Sequence, residues 1–171
     1  MFIIPTKKSL ALFSYIPNAQ KQISNKECSF YSWHANYFVV DRRKILILVN
    51  DKSFSPIVLA NINAKNKKDL DYMIKAGIEE VFSYSDISPN QIKKYFLKAG
   101  RIEISSNYNR SIISINNNMI QLVKCVPEDI DFSTILQPEI MKFLANVPFH
   151  SSTSDSSFST EIVKNEFNNF I

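Results

Sequence analysis

The sequence predicts an α+β fold, with an antiparallel sheet around a central hairpin covered by helices from the second half of the chain. Three observations predict it. Between Trp33 and Asn50 two runs, Asn36–Asp41 and Ile45–Val49, are almost wholly β-branched, aromatic or leucine, which suits a pleated, buried surface. From Asn66 the apolar spacing changes from two to about 3.6, the period of a helix. A second helix is bracketed by Ser88-Pro89 at its start and Gly100 at its end.

In chain order, Phe2–Pro5 reads as a short strand, and Thr6 as the N-cap of a short helix carrying Leu10, Phe13 and Leu12. Residues 17–27 are polar and aperiodic, hence a surface loop. The hairpin follows, its strands joined by the polar Asp41-Arg42-Arg43-Lys44, a connection of three or four residues with no glycine. Asn50-Asp51-Lys52-Ser53 is a turn, and Phe54–Ile62 a third strand. Pro56 places its start at Ile57 or makes it an edge strand, because proline donates no ladder hydrogen bond.

Leu70, Met73, Ile74, Gly77, Ile78, Val81 and Phe82 share one helical face. Gly77 costs about 1 kcal/mol against alanine in mid-helix. The stripe runs straight through it, so the glycine is expected to allow close packing. Ile92, Tyr95, Phe96 and Ala99 form the stripe of the next helix, and Arg101–Ser105 reads as a strand with one solvated face. The stretch 109–126 suits helix or strand, with helix preferred. Phe132–Val147 is helical, bent or started near Pro138. These segments make one domain over residues 1–150. A Ser-rich linker over 151–160 and a C-terminal amphipathic helix over 161–171, with Val163, Phe167, Phe170 and Ile171 on one side, complete the chain.

Composition narrows the function classes. A chain of 171 residues with 45% hydrophobic and 21% charged residues is long enough for one cored domain. Its net charge of +4 is mild for a dedicated nucleic-acid binder. Two glycines exclude both Gly-rich phosphate-cradling loops, and no cofactor is expected. Two cysteines without close spacing, and His34 and His150 without a HExxH pattern, indicate neither a disulfide framework nor a metal site, so a reducing cytoplasm is the expected setting. No run approaches the roughly 18 apolar residues of a membrane span.

Several motifs carry a likeness. TKKSL at Thr6–Leu10, WHAN at Trp33–Asn36, RRKILILVN at Arg42–Asn50, NRS at Asn109–Ser111, and Pro138 and Pro148 stand in an order that resembles a bacterial family, domain of unknown function 6933, over roughly residues 1–148. The family's late Thr-Pro is Gln137-Pro138 here, and the Gly often following its Arg-Ser is absent. The resemblance implies a single α+β domain and supplies no activity.

The polar residues of those motifs make the candidate site. With His34 as general acid or base and Arg42 and Arg110 stabilising negative charge, they would suit metal-independent phosphodiester cleavage, for which Glu27, Asp41 or Tyr37 could supply a second proton-transfer group. Trp33, Asn36, Arg43, Lys44 and Asn50 are the binding candidates. The competing and heavier reading is structural: Trp33 as core anchor, Asn36 and Asn50 satisfying backbone at strand ends, the arginines paired with carboxylates. Exposed aromatics among Phe30, Tyr31 and Tyr37 would add stacking platforms for single-stranded nucleic acid. The functional expectation is a small cytoplasmic binding protein of a bacterium or its mobile elements, contacting a protein or nucleic-acid partner through the hairpin tip. A ribonuclease is the alternative.

Overall fold

The predicted hairpin lies in the middle of the sheet. The structure is a computed structural model and describes residues 1–20, 29–151 and 154–170. The loop expected over 17–27 therefore falls largely outside the described residues, as do Glu27 and Ile171.

Strand β1 (Phe2–Pro5), β2 (Ser32–Val40), β3 (Arg43–Asn50), β4 (Pro56–Leu59) and β5 (Glu103–Ile104) form one sheet in the order β4-β3-β2-β1-β5. The α+β class holds, but the sheet is mixed and not purely antiparallel. β2–β3 and β3–β4 are antiparallel, while β1 runs parallel to both β2 and β5. The connection from Thr6 to Tyr31 is long enough for the crossover that a parallel neighbour requires, and no short turn forces β1 to reverse.

The hairpin turn is also tighter than the four polar residues suggested. Val40 pairs with Arg43, so the loop is only Asp41-Arg42, both left-handed with φ of 47° and 64°. Two positive φ values in succession are those of a type I′ turn, whose twist matches the flanking strands. Asp and Arg stand where Asn-Gly is usual, and Arg43 and Lys44 belong to β3.

Side chains alternate along β2. Trp33 faces one side, with α1 (Leu70–Ser83) and α2 (Pro89–Ala99); His34 faces the other, with α3 (Arg110–Lys124). On the first side Trp33 Nε1 donates to Tyr95 Oη at 3.2 Å, and Tyr95 Oη donates to the Phe30 carbonyl at 2.9 Å. Phe30, Phe82, Tyr95 and Phe167 pack as an edge-and-face cluster around them. Phe167 comes from α5 (Ser159–Phe170), whose Val163 and Phe167 are buried.

Gly77 lies where expected for close packing: a Cβ there would overlap Ile57 Cγ2 of β4. Ser88 and Gln91 form a reciprocal capping box at the start of α2, and Gly100 ends that helix at φ 67°. The stretch left open between helix and strand is α3, capped by Asn109, whose side chain accepts from Ser111 N–H.

Other elements differ from expectation. Thr6 does not cap an α-helix; its carbonyl accepts from Ser9 and Leu10 N–H, and a single 3-10 turn follows at Leu10–Phe13. Helix α4 (Pro138–Ala145) starts at Pro138, one of the two outcomes expected there, and residues 132–137 are not helical because they run along the open edge of β4, Leu136 bridging Leu59 and Ala60 N–H donating to the Ile135 carbonyl. That strip covers a strand edge that would otherwise be exposed. Residues 151–160 are not a plain linker: β6 (Phe149–Ser151) pairs with β7 (Ser154–Ser157), and α5 already begins at Ser159. Serine-rich composition forbids a core but not a ladder, which needs only backbone groups. No helix among the described residues is long and apolar enough to cross a membrane.

Candidate functional site

The candidate residues separate into two groups at opposite ends of the hairpin. His34 and Asn50 lie near its open end, where His34 pairs with Val49 and Trp33 with Asn50; Arg42 is at the closed end. Six residues of strand, about 20 Å at roughly 3.3 Å per residue, separate His34 from the turn. Arg42 and His34 therefore do not share a pocket.

His34 is 2% exposed, and both ring nitrogens are occupied. Nε2 accepts the Asn109 backbone N–H at 2.9 Å, so the ring hydrogen must sit on Nδ1, which is 2.6 Å from Asp51 Oδ1. Burial pushes the Asp51 carboxyl above its ordinary 3.8, and the hydrogen bond from His34 pulls it back only in part. The neighbouring dimple between Thr6, His34, Asn36, Ile113 and Asn116 leaves no volume into which a water fits. A histidine with both nitrogens engaged in a closed site lacks the accessible lone pair that general base chemistry requires. Its role in the geometry is to fix the start of α3 against β2. Asn116 does the same further along, its Nδ2 donating to the carbonyls of His34 at 3.3 Å and Ile47 at 3.1 Å. Arg110 follows Asn109 directly, so chain proximity brings it to the His34 end, with its side chain exposed.

Trp33 is wholly buried and serves the core. Asn50, also wholly buried, organises the β3–β4 turn: Nδ2 donates to the Phe30 carbonyl, and Oδ1 accepts from Lys52 N–H and Ser53 N–H. Asn36 sits where β1 ceases to accompany β2. Its Oδ1 accepts from Tyr37 N–H at 2.9 Å and from Thr6 Oγ1 at 3.0 Å, while Lys8 Nζ donates to the Tyr37 carbonyl at 3.0 Å. Two side chains thus occupy the backbone groups that a neighbouring strand would have used.

The basic candidates share the closed end but not one face of it. Arg42 is exposed and has no hydrogen bond or ion pair among the described residues. Arg43 lies over the Phe132 ring at 4.4 Å, and Lys44 over Tyr37 at 5.5 Å. Lys8 covers the same Tyr37 at 4.4 Å, and Lys124 approaches Phe38 at 5.8 Å. Tyr37 is therefore a rest for two ammonium groups, and Phe30 is core, so neither offers the expected stacking platform.

Sequence reasoning did not single out Asp51, Asn109 or Asn116 as partners of His34. The Asp51 signal was legible, since it follows the strand opposite His34; those of Asn109 and Asn116 depend on where α3 docks. Elsewhere an open pocket of about 370 Å³ lies between Pro5, Leu10, Ser105 and Tyr108, with no charged side chain among the described residues that line it. A second, of about 230 Å³, is lined by Tyr15, Lys68, Asp71, Lys75 and Arg101, the last tied to Glu103 at 2.6 Å. Among the described residues no group of three or more His, Cys, Asp or Glu is placed to hold a metal ion.

The fold and its polar centre define an α+β domain whose buried histidine and asparagines fasten helices to a mixed sheet. The family model for a domain of unknown function, DUF6933, matches residues 2–161, and the chain belongs to that family. No curated protein matches the chain.

Proposed function

We propose that this protein is a small cytoplasmic binding protein, of a bacterium or its mobile elements, that works by contact with a macromolecular partner through the closed end of its β2–β3 hairpin. The observation that carries this is Arg42. A left-handed backbone costs a non-glycine residue about 1 kcal/mol, and the side chain presented at that cost is exposed, with no hydrogen bond or ion pair among the described residues. Strain at an exposed, unsatisfied cation supports a contact made elsewhere. Four further cations, Lys8, Arg43, Lys44 and Lys124, rest on aromatic rings in or beside the closed half of the hairpin, and the two cysteines, without close spacing, suit a reducing cytoplasm.

A photo-crosslinking residue placed at Arg42, with a control at exposed Leu97 of α2, tests the reading in cells. Adducts at position 42 that vanish when Arg43 is reversed to Glu support it. Adducts at 97 with none at 42 overturn it.

A further inference from the structure

The hairpin reading leaves open what the closed end holds; resting on that reading, we propose that it is a duplex-DNA contact in which the β2–β3 ribbon seats over the major groove and its cations meet the phosphates on either side.

The distribution of charge is the argument. Tyr37 and Lys44 lie on one face of the ribbon, since Lys44 is paired with Val39, and Lys8 joins them there. Phe38 and Arg43 lie on the opposite face, where Lys124 of α3 joins them. Arg42 projects from the turn between the two sets. Cations on both faces and one at the tip match a groove, which has a phosphate strand along each wall and base edges at its floor. The major groove of B-DNA is wide enough for a two-stranded β-ribbon. The ribbon is two strands wide only at its tip: on one edge β1 stops opposite Ala35, where Asn36 and Lys8 take the place of a strand, and on the other the chain after β4 leaves β3 at Lys44, whose carbonyl accepts from Ile62 N–H.

The same contacts weigh against other anionic polymers. Cations already rest on the Tyr37, Phe38 and Phe132 rings, so at the closed end the bases of a single strand would compete with them for an aromatic face. The major groove of A-form RNA is too deep and narrow for side chains to read. Asp41, in the turn itself, opposes the contact. Asp131, near Phe132, is turned onto Ser133, whose N–H and hydroxyl donate to its Oδ1.

The test is fluorescence anisotropy of the full chain with a labelled duplex of mixed sequence, about 20 base pairs long, between about 50 and 200 mM salt. Each phosphate contact contributes about −0.9 to the slope of log affinity against log salt. The expected result is binding that weakens with a slope of about −3 to −5. Lys8→Ala and Lys124→Ala, one on each face, should each make the slope shallower by about 0.9. Arg42→Ala should weaken binding and Leu97→Ala should leave it unchanged, both with unaltered urea midpoints, and Asp41→Asn should strengthen it. Absence of duplex binding at the lower salt overturns the assignment. So does an effect confined to one face, or tighter binding of the single strand or of an RNA duplex of the same sequence. If duplex binding is absent while crosslinks from position 42 to a polypeptide remain, the DNA assignment fails and the hairpin reading stands. If both are absent, both fail.

Discussion

A buried carboxylate hydrogen-bonded to a histidine is a common mark of catalysis, yet at His34 the hydrogen-bond inventory closes the site. Asp51 holds the Nδ1 hydrogen and Asn109 takes the Nε2 lone pair, so the pair acts as a strut between β2, the turn after β3 and the start of α3. Asp51 has a pH signature. Because its folded pKa is raised, the native state binds this proton more tightly than the unfolded chain does, and stability falls as pH rises from 3.8 through the raised value. Asp51→Asn keeps an acceptor for His34 without the buried charge. Its urea midpoint is expected to be flatter than that of the wild type across that window; an equal slope in both proteins would assign the dependence to other groups. Asn50→Ala, by contrast, strands the Lys52 and Ser53 N–H groups and removes one of the two donors to the Phe30 carbonyl, the other being Tyr95 Oη. An expected loss of about 2–4 kcal/mol, from these lost hydrogen bonds, is readable by urea denaturation.

At the scale of elements, the closed turn sets stability against contact. Arg42→Gly relieves the left-handed strain and is expected to raise stability by about 1 kcal/mol while weakening partner binding; a glycine variant that is no more stable would mean the turn is unstrained. Gly77→Ala tests the α1–β4 seam. Helix propensity favours alanine by about 1 kcal/mol, but overlap with Ile57 outweighs it, for an expected net loss of about 1–3 kcal/mol. Ile57→Ala, which removes the Cγ2 that overlaps, should cost less in the Gly77→Ala background than in the wild type. Much of this level was legible in the sequence, because Ser88, Gly100, Gly77 and the apolar runs act locally. What was not legible depended on partners distant in sequence: the parallel seat of β1, the Ile135–Gln137 strip along β4, and the docking of α3 that gives His34 its second neighbour. The turn was misjudged for a different reason, since strand pairing forced Asp41 and Arg42 into a backbone their side chains disfavour.

Across the whole molecule, the sheet has two unlike sides. One is aromatic, built from Phe30, Trp33, Phe82 and Tyr95 and completed by Phe167 from the far end of the chain. The other is mainly aliphatic, with Phe38 toward the hairpin's closed end, and is pinned by polar groups on α3. Phe167→Ala removes a ring that contacts three others and is expected to cost about 3–5 kcal/mol. Lys52 and Glu166, 3.4 Å apart at the same junction, should matter far less, as partly exposed pairs contribute at most about 1 kcal/mol. Trp33, the single tryptophan, sits inside the aromatic side with its indole N–H on Tyr95. Its emission will therefore report when that half comes apart and will be blind to loosening of α3 on the other half. A fluorescence midpoint that precedes the circular-dichroism midpoint would show the two sides melting in succession; coincident curves would show them melting as one.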